Sequence, residues 1–78
     1  MANEQEIIEA IADILALPAA DIDTEAHMQE DLGLNPVEVA DLFNGLAQRF
    51  NIFFDQSDIS QTKTVGSLVE LIEDKLLE

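Results

Sequence analysis

Apart from its 17 carboxylates, this sequence has few side chains with the chemistry of a nucleophile, a base or a metal ligand. There is no cysteine, and the single histidine is His27. The lack of cysteine excludes a thiolate metal site, a disulfide and a cysteine nucleophile. A catalytic histidine needs a nucleophile and an orienting partner, and a metal site needs two or three further ligands. The sequence places neither beside His27, so we interpret it as a solvated loop histidine.

The segment DIDTEAHMQEDL begins like a calcium-binding loop, with Asp21, Asp23 and Glu25 at alternating positions. It then departs from that pattern, because Ala26 stands where the loop needs a glycine. Leu32 likewise stands where the loop needs a bidentate glutamate. We therefore predict no metal site, and only loose screening of these carboxylates by divalent cations.

The serines also lack the partners that nucleophilic catalysis requires. None of Ser57, Ser60 and Ser67 is flanked by a base, and each suits a turn or a helix cap. The sequence contains no glycine-rich phosphate loop and no supported pair of catalytic carboxylates. We therefore predict that the protein is not an enzyme.

The composition predicts one small packed domain, residues 1–78, that binds a protein partner. Of the 78 residues, 47% are hydrophobic, too many for a disordered acidic tail. The formal net charge of −14 opposes binding to nucleic acid and to anionic membranes. It favours a partner with a basic surface, although acids that only keep the domain soluble explain it equally well. With no apolar run of about 20 residues and no basic leader, we expect a cytoplasmic protein. We also expect it to be a monomer.

The first helix is predicted to begin after Asn3, which can form a capping box with Glu6. Pro18 is expected to end it, because proline cannot continue a helix. Its apolar stripe is Ile7, Ile8, Ile11, Ile14 and Leu15. Residues 18–34 then form a connection long enough to be functional or internally packed. Its expected anchors on the core are Ile22, Met28, Leu32 and Leu34.

The second helix is predicted over about Pro36–Phe50. Asn35 is a favoured N-cap, Pro36 a favoured first residue, and Glu38 completes a capping box. Gly45 costs about 1 kcal/mol relative to alanine in a helix interior, which close packing would explain. The core stripe is Val39, Leu42, Phe43, Leu46 and Phe50, widened by Val37, Ala40 and Ala47.

Two further helices follow a short extended piece, NIFFD, in which Phe53 is expected to point outward. A short helix is predicted from about Ser57 to Gln61, with Ile59 as its only clear anchor. Thr64 is expected to cap the last helix. That helix carries Val65, Leu68, Val69, Ile72 and Leu76. These elements predict an all-α bundle of three main helices and a short third one.

The stretch EDLGLNPVEVADL resembles the acyl carrier proteins, whose second helix is introduced by the sequence DLGxDSL. Asp31, Leu32 and Gly33 match its opening, and Val37 stands in place of the leucine. The order and lengths of the predicted helices resemble the family over nearly the whole chain. The resemblance implies a small acyl-carrier-like four-helix bundle with a long loop between helices one and two.

In that family the serine of DSL is esterified by 4′-phosphopantetheine, whose thiol carries the acyl chain. The resemblance places Pro36 at that serine, and Asn35 at the aspartate implicated in the modification. Proline has no hydroxyl group, so it cannot form the phosphodiester. The resemblance therefore implies a degenerate attachment position, and we expect no 4′-phosphopantetheine cofactor.

Family members typically dock basic partners through acidic residues of the second helix. Here that helix carries Glu38 and Asp41 but also Arg49, a net charge of −1, whereas the first 31 residues hold nine acids and no Lys or Arg. Docking through the usual face is therefore altered. We expect partner contacts at Val37, Glu38, Asp41 and Phe53.

Three functional interpretations follow. The favoured one is a degenerate acyl-carrier-like domain, related to fatty-acid or polyketide metabolism, that binds a protein partner without a prosthetic group. The second is a working carrier of fatty-acid or polyketide type that is modified at another serine, for instance Ser57 or Ser60. The third is an acidic mimic or inhibitor that occupies a basic protein surface.

Overall fold

A computed structural model describes residues 3–77 and contains four α-helices and no β-strand within that range. The helices are α1 (Glu4–Leu15), α2 (Pro36–Phe50), α3 (Gln56–Gln61) and α4 (Val65–Leu76). A single 3₁₀ turn, Ala19–Asp21, lies in the connection between α1 and α2. The predicted all-α fold with a short third helix is confirmed. No helix in the described range is both long and apolar enough to cross a bilayer.

The first helix is capped as predicted but ends earlier. The Glu6 N–H donates to Asn3 Oδ1 at 2.9 Å. At the other end Ala16 adopts the left-handed conformation, with φ of 59°. The N–H groups of Ala16 and Leu17 both return to the Ala12 carbonyl. The prediction that Pro18 ends α1 is therefore wrong in mechanism, because this local hydrogen-bonded turn stops the helix first.

The remaining helix starts follow the capping signals in the sequence. In α2 the Glu38 N–H donates to Asn35 Oδ1 at 2.7 Å, and the Asn35 N–H donates to Glu38 Oε1 at 3.0 Å. This reciprocal pair confirms the predicted capping box, with Pro36 at the first helical position. Thr64 caps α4 as predicted. The short helix α3 starts one residue before the predicted Ser57, because Asp55 caps it.

The core is one cluster of buried apolar side chains from α1, α2 and α4, with Ile22 and Met28 from the long connection. Val37 was predicted to widen the apolar stripe of α2, but it is 68% exposed. It precedes Val39 by two residues, which is about 200° of rotation around the helix, so it faces away from the core. The cluster consists of Ile7, Ile8, Ala10, Ile11, Ala12, Ile22, Met28, Val39, Leu42, Phe43, Leu46, Val65, Leu68, Val69 and Ile72.

The long connection is held by backbone hydrogen bonds to the start of α4. The N–H of Met28 donates to the Lys63 carbonyl at 2.9 Å, and residues 24 and 26 accept from the first two N–H groups of α4. A β-bridge between His27 and Thr64 lies at the centre of this pairing. The connection is therefore internally packed, one of the two outcomes expected for a loop of its length.

Two glycines have close neighbours, and the neighbours differ in kind. A Cβ on Gly66 would lie 2.9 Å from the carbonyl oxygen of Thr24, a backbone atom. That oxygen already accepts the Gly66 N–H at 2.7 Å, so it cannot withdraw without breaking the contact. A Cβ on Gly45 would lie 2.9 Å from Ile14 Cδ1, the tip of a flexible side chain. The close packing predicted at Gly45 is confirmed.

We predict that Gly66→Ala lowers the free energy of unfolding by about 1–3 kcal/mol, because the new methyl group clashes with fixed backbone. Gly45→Ala is the matched control. There the Ile14 tip can rotate and alanine gains about 1 kcal/mol in helix propensity, so the net change should stay within about 1 kcal/mol. Urea denaturation of both variants measures the difference. Equal losses would contradict the role of the Thr24 contact.

Candidate functional site

The start of α2 is an exposed helix N-terminus that follows a tight glycine turn. Gly33 adopts φ of +71°, in the left-handed region, and a Cβ there would have no neighbour within 4 Å. The turn conformation, rather than lack of space, therefore favours glycine at this position. Leu34 then donates its N–H to the Met28 carbonyl at 3.1 Å, which joins the turn to the core-anchored loop.

Asn35 and Pro36 stabilise the start of α2 but include no nucleophilic side chain. Asn35 and Pro36 are both exposed. The Asn35 side chain is engaged as the N-cap. Pro36 has neither a hydroxyl group nor a backbone N–H. The arrangement therefore stabilises the first turn of α2, and neither Asn35 nor Pro36 offers a hydroxyl oxygen for covalent modification.

The structure separates the predicted partner contacts into two places. Val37, Glu38 and Asp41 are exposed on the first two turns of α2. Phe53 is 77% exposed in the connection that follows α2. Because a helix rises about 1.5 Å per residue, Val37 lies about 20 Å along α2 from the last residue of the helix, and Phe53 follows beyond that end. The predicted contacts therefore do not form one group, since three lie near the start of α2 and Phe53 lies beyond its end.

The acidic loop uses its carboxylates for local structure. Asp23 Oδ1 accepts the Glu25 N–H at 2.9 Å, and Asp31 Oδ2 accepts the His27 N–H at 2.7 Å. Among residues 3–77, no group of three or more His, Asp or Glu side chains is arranged to hold a metal ion. The structure agrees with the interpretation of His27 as a solvated loop histidine, and Asp31 Oδ2 lies 3.5 Å from its Nδ1. The i,i+4 spacing of the two residues was the available signal, but both side chains are at least half exposed.

Two of the three basic residues form ion pairs with acids that are distant in the sequence. Arg49 lies 3.1 Å from Asp13, and Lys75 lies 3.1 Å from Asp58. The backbone N–H of Asp55 donates to the Asp58 carboxylate. This hydrogen bond is the main cause that lowers the pKa of Asp58 from its usual value, and burial acts in the opposite direction. The Lys75 ammonium group lowers the pKa of Asp58 further. Sequence spacing alone did not reveal either pair.

A groove of about 300 Å³ lies between the loop, α2 and α3, and the sequence did not reveal it. Its floor includes the buried side chains of Met28 and Val39, and one wall is Ile59 of α3. Thr62 and Lys63 continue that wall toward α4. Three further lining residues belong to the loop: His27, Gln29 and Glu30.

Comparison with known proteins identifies the family. The family model described as "Phosphopantetheine attachment site" matches residues 5–72. The chain belongs to the acyl carrier protein family. It is 34% identical over 77 residues to the acyl carrier protein of Helicobacter pylori (strain J99), covering 99% of each chain. It is 33% identical to that of Exiguobacterium sp. (strain AT1b), covering 97% of this chain and 100% of the relative. The acyl carrier protein of Amoebophilus asiaticus is 31% identical over 74 residues, which cover 95% of this chain and 92% of the relative.

The family normally carries 4′-phosphopantetheine, and the start of α2 can be tested for its fit to that group. A phosphodiester link requires a hydroxyl oxygen on the protein. The sequence Leu34-Asn35-Pro36-Val37 provides none. The residues at this helix start therefore do not fit covalent attachment of the group.

We predict that Asn35→Ala lowers the free energy of unfolding by about 1 kcal/mol, because the Glu38 N–H loses its capping partner. Asn44→Ala is a matched control on the same helix, since Asn44 is exposed in its interior. That substitution should be neutral or slightly stabilising, because alanine has the higher helix propensity. Thermal unfolding followed by circular dichroism compares the two variants. A loss at Asn44 as large as the loss at Asn35 would argue against the capping role.

Proposed function

We propose that this protein is a non-carrier member of the acyl carrier protein family, which binds a protein partner and holds no 4′-phosphopantetheine. The observation that carries the proposal is Pro36 at the first position of α2, preceded by Asn35 as its cap. By resemblance to the family, these positions correspond to the modified serine and to the aspartate before it. Neither replacement supplies the missing chemistry.

The intact helix start supports this proposal. The capping box formed by Asn35 and Glu38 satisfies the backbone groups that open α2. Proline is favoured at the first helical position because it donates no hydrogen bond there and its φ angle is already helical. Replacing serine by proline at this position therefore removes the hydroxyl group and retains the fold.

A second candidate function is a carrier that is modified at another serine. Ser57 and Ser60 are exposed on α3, and this exposure is the observation in its favour. Ser67 is less suitable, because its Oγ donates to the Thr64 carbonyl at 2.9 Å and its side chain is half-buried. A carrier of this kind would present its acyl chain from α3 rather than from the start of α2.

The charge distribution supports a basic protein surface as the partner. The net charge of −14 gives long-range attraction to such a surface. This attraction weakens with added salt. The proposed contacts are Val37, Glu38 and Asp41 on α2, with Phe53 as a separate apolar contact. A role in fatty-acid or polyketide metabolism, as a cytoplasmic monomer, is part of the same proposal.

We predict that incubation with a phosphopantetheinyl transferase and coenzyme A leaves the intact mass unchanged. The matched variant is Asn35→Asp with Pro36→Ser, which restores both residues of the family motif at little cost in stability. This double variant should gain the mass of one phosphopantetheine. Mass spectrometry of both proteins, each checked for folding by circular dichroism, is the measurement.

A mass gain by the unaltered protein would overturn the proposal. If Ser57→Ala with Ser60→Ala then abolished that gain, the second candidate function would be correct. If the Asn35→Asp, Pro36→Ser protein folds but is not modified, the changed surface of α2 is an additional barrier to the transferase. The unaltered protein would still be a non-carrier in that case.

We predict that a partner captured from the native host binds Phe53→Ala at least several-fold more weakly than the unaltered protein, since buried aromatic contacts often dominate protein interfaces. Leu77→Ala is the matched control, because Leu77 is 69% exposed in the described structure. Its affinity should not change. Titration calorimetry with the purified partner measures both, and equal affinities of the unaltered and Phe53→Ala proteins would remove Phe53 from the proposed contacts.

A further inference from the structure

The helix α3 has few attachments of its own to the rest of the protein. It is six residues long, Gln56–Gln61, and none of its residues is fully buried. A helix of this length is not stable in isolation, because nucleation costs more than so few hydrogen bonds return. Its position therefore depends on contacts with neighbouring elements, of which the half-buried Ile59 is the apolar one.

Asp58 connects α3 to the last turn of α4. Its Oδ2 accepts the Asp55 N–H at 3.1 Å and also lies 3.1 Å from Lys75 Nζ. The Lys75 ammonium group is in turn 5.6 Å from the centroid of the Phe54 ring. That ring packs edge-on against the buried Phe43, with centroids 4.9 Å apart. One carboxylate oxygen thus joins the cap of α3, the end of α4 and an aromatic pair of the core.

This ion pair is better shielded from water than the Arg49–Asp13 pair. The side chains of Lys75 and Asp58 are 20% and 22% exposed. Those of Arg49 and Asp13 are 47% and 65% exposed at the same separation of 3.1 Å. Because solvent screens exposed charges more strongly, the Lys75–Asp58 pair should contribute more than the Arg49–Asp13 pair.

The attached helix also forms one wall of the groove. Ile59 contributes to the wall, and the groove's floor contains Met28 and Val39. Both floor residues are almost fully buried while α3 is in place. Movement of α3 away from α4 would withdraw Ile59 and expose the apolar floor.

We propose that Asp58 and Lys75 form a latch that holds α3 over this groove, so that breaking the ion pair opens the groove without unfolding the bundle. The core of α1, α2 and α4 contains no residue of α3, which allows α3 to move separately. The last turn of α4, which carries Lys75, thereby controls access to the groove. This inference does not depend on whether the start of α2 carries a prosthetic group.

The test replaces Asp58 and Lys75 by uncharged side chains of similar size. Asp58→Asn retains an oxygen that can accept the Asp55 N–H, and Lys75→Met retains most of the apolar stem over Phe54. Amide hydrogen exchange is measured at Ile59 and Thr62, whose N–H groups donate to the Asp55 and Asp58 carbonyls. Exchange at these amides should be about three- to tenfold faster in either variant, the change expected for loss of a shielded ion pair.

The double variant should exchange no faster than either single variant, because both substitutions break the same contact. The second readout is the Met28 methyl resonance, which should be more strongly relaxed by a neutral soluble paramagnetic probe when the groove is open. Asp13→Asn and Arg49→Met are the matched controls at the other ion pair. They should leave both readouts unchanged.

Three results would overturn the latch. The first is unchanged exchange at Ile59 and Thr62 in folded Asp58→Asn and Lys75→Met proteins. The second is faster exchange throughout the core as well, which would show global destabilisation rather than opening of α3. The third is an unchanged Met28 methyl signal despite faster exchange in α3, which would separate α3 from the groove.

Discussion

The antiparallel contact between the long loop and the start of α4 is the constraint on which most of the fold depends. The carbonyls of Thr24 and Ala26 accept the first two N–H groups of α4, and Met28 donates to Lys63 in return. Helix N-termini leave such donors without intrahelical partners, so the loop satisfies groups that would otherwise need water. The contact also directs Met28 into the core. From there Gly33 and Leu34 lead the chain into α2. Gly66 is required for the closest approach, because a side chain there would meet the Thr24 oxygen.

The start of α2 illustrates that helix geometry and covalent chemistry are separable properties of one position. Capping requires an oxygen acceptor at Asn35 and a compatible residue after it, and asparagine followed by proline meets both requirements. Phosphopantetheine attachment requires a hydroxyl oxygen, which this pair does not provide. Membership of the acyl carrier protein family therefore does not by itself establish the carrier function of this chain.

The charged side chains make two kinds of contact, some with near neighbours in the sequence and others with distant residues. Most acids in the first half of the chain remain exposed, and two of them, Asp23 and Asp31, stabilise loop turns by accepting backbone N–H groups. The basic residues Arg49 and Lys75 each reach an acid on another helix. The Lys75–Asp58 pair is shielded and shares its carboxylate with the cap of α3, whereas the Arg49–Asp13 pair is more exposed.

The sequence by itself determined the features that depend on near neighbours along the chain. The bounds of α2 and the caps of α2 and α4 were predictable, because a capping box joins residues three apart and apolar periodicity is a local pattern. The lack of a hydroxyl group at position 36 could also be read from the sequence, because it depends only on the identity of that one residue. The left-handed turn at Ala16 was missed, because alanine gives no signal for that conformation. The prediction that Val37 widens the core stripe is wrong because an apolar residue two positions from Val39 lies about 200° away around the helix.

Only the tertiary structure decided which distant groups meet. The Asp58–Lys75 pair, the contact of Gly66 with Thr24 and the groove between Met28, Val39 and Ile59 join residues from separate elements. Their positions follow from how the helices pack around the shared core, and no spacing in the chain encodes that packing directly. The order of the helices followed from the capping and apolar patterns along the chain, and the family resemblance agreed with it. The side-chain contacts between them required coordinates, because a change of one residue in helix phase would bring different atoms together.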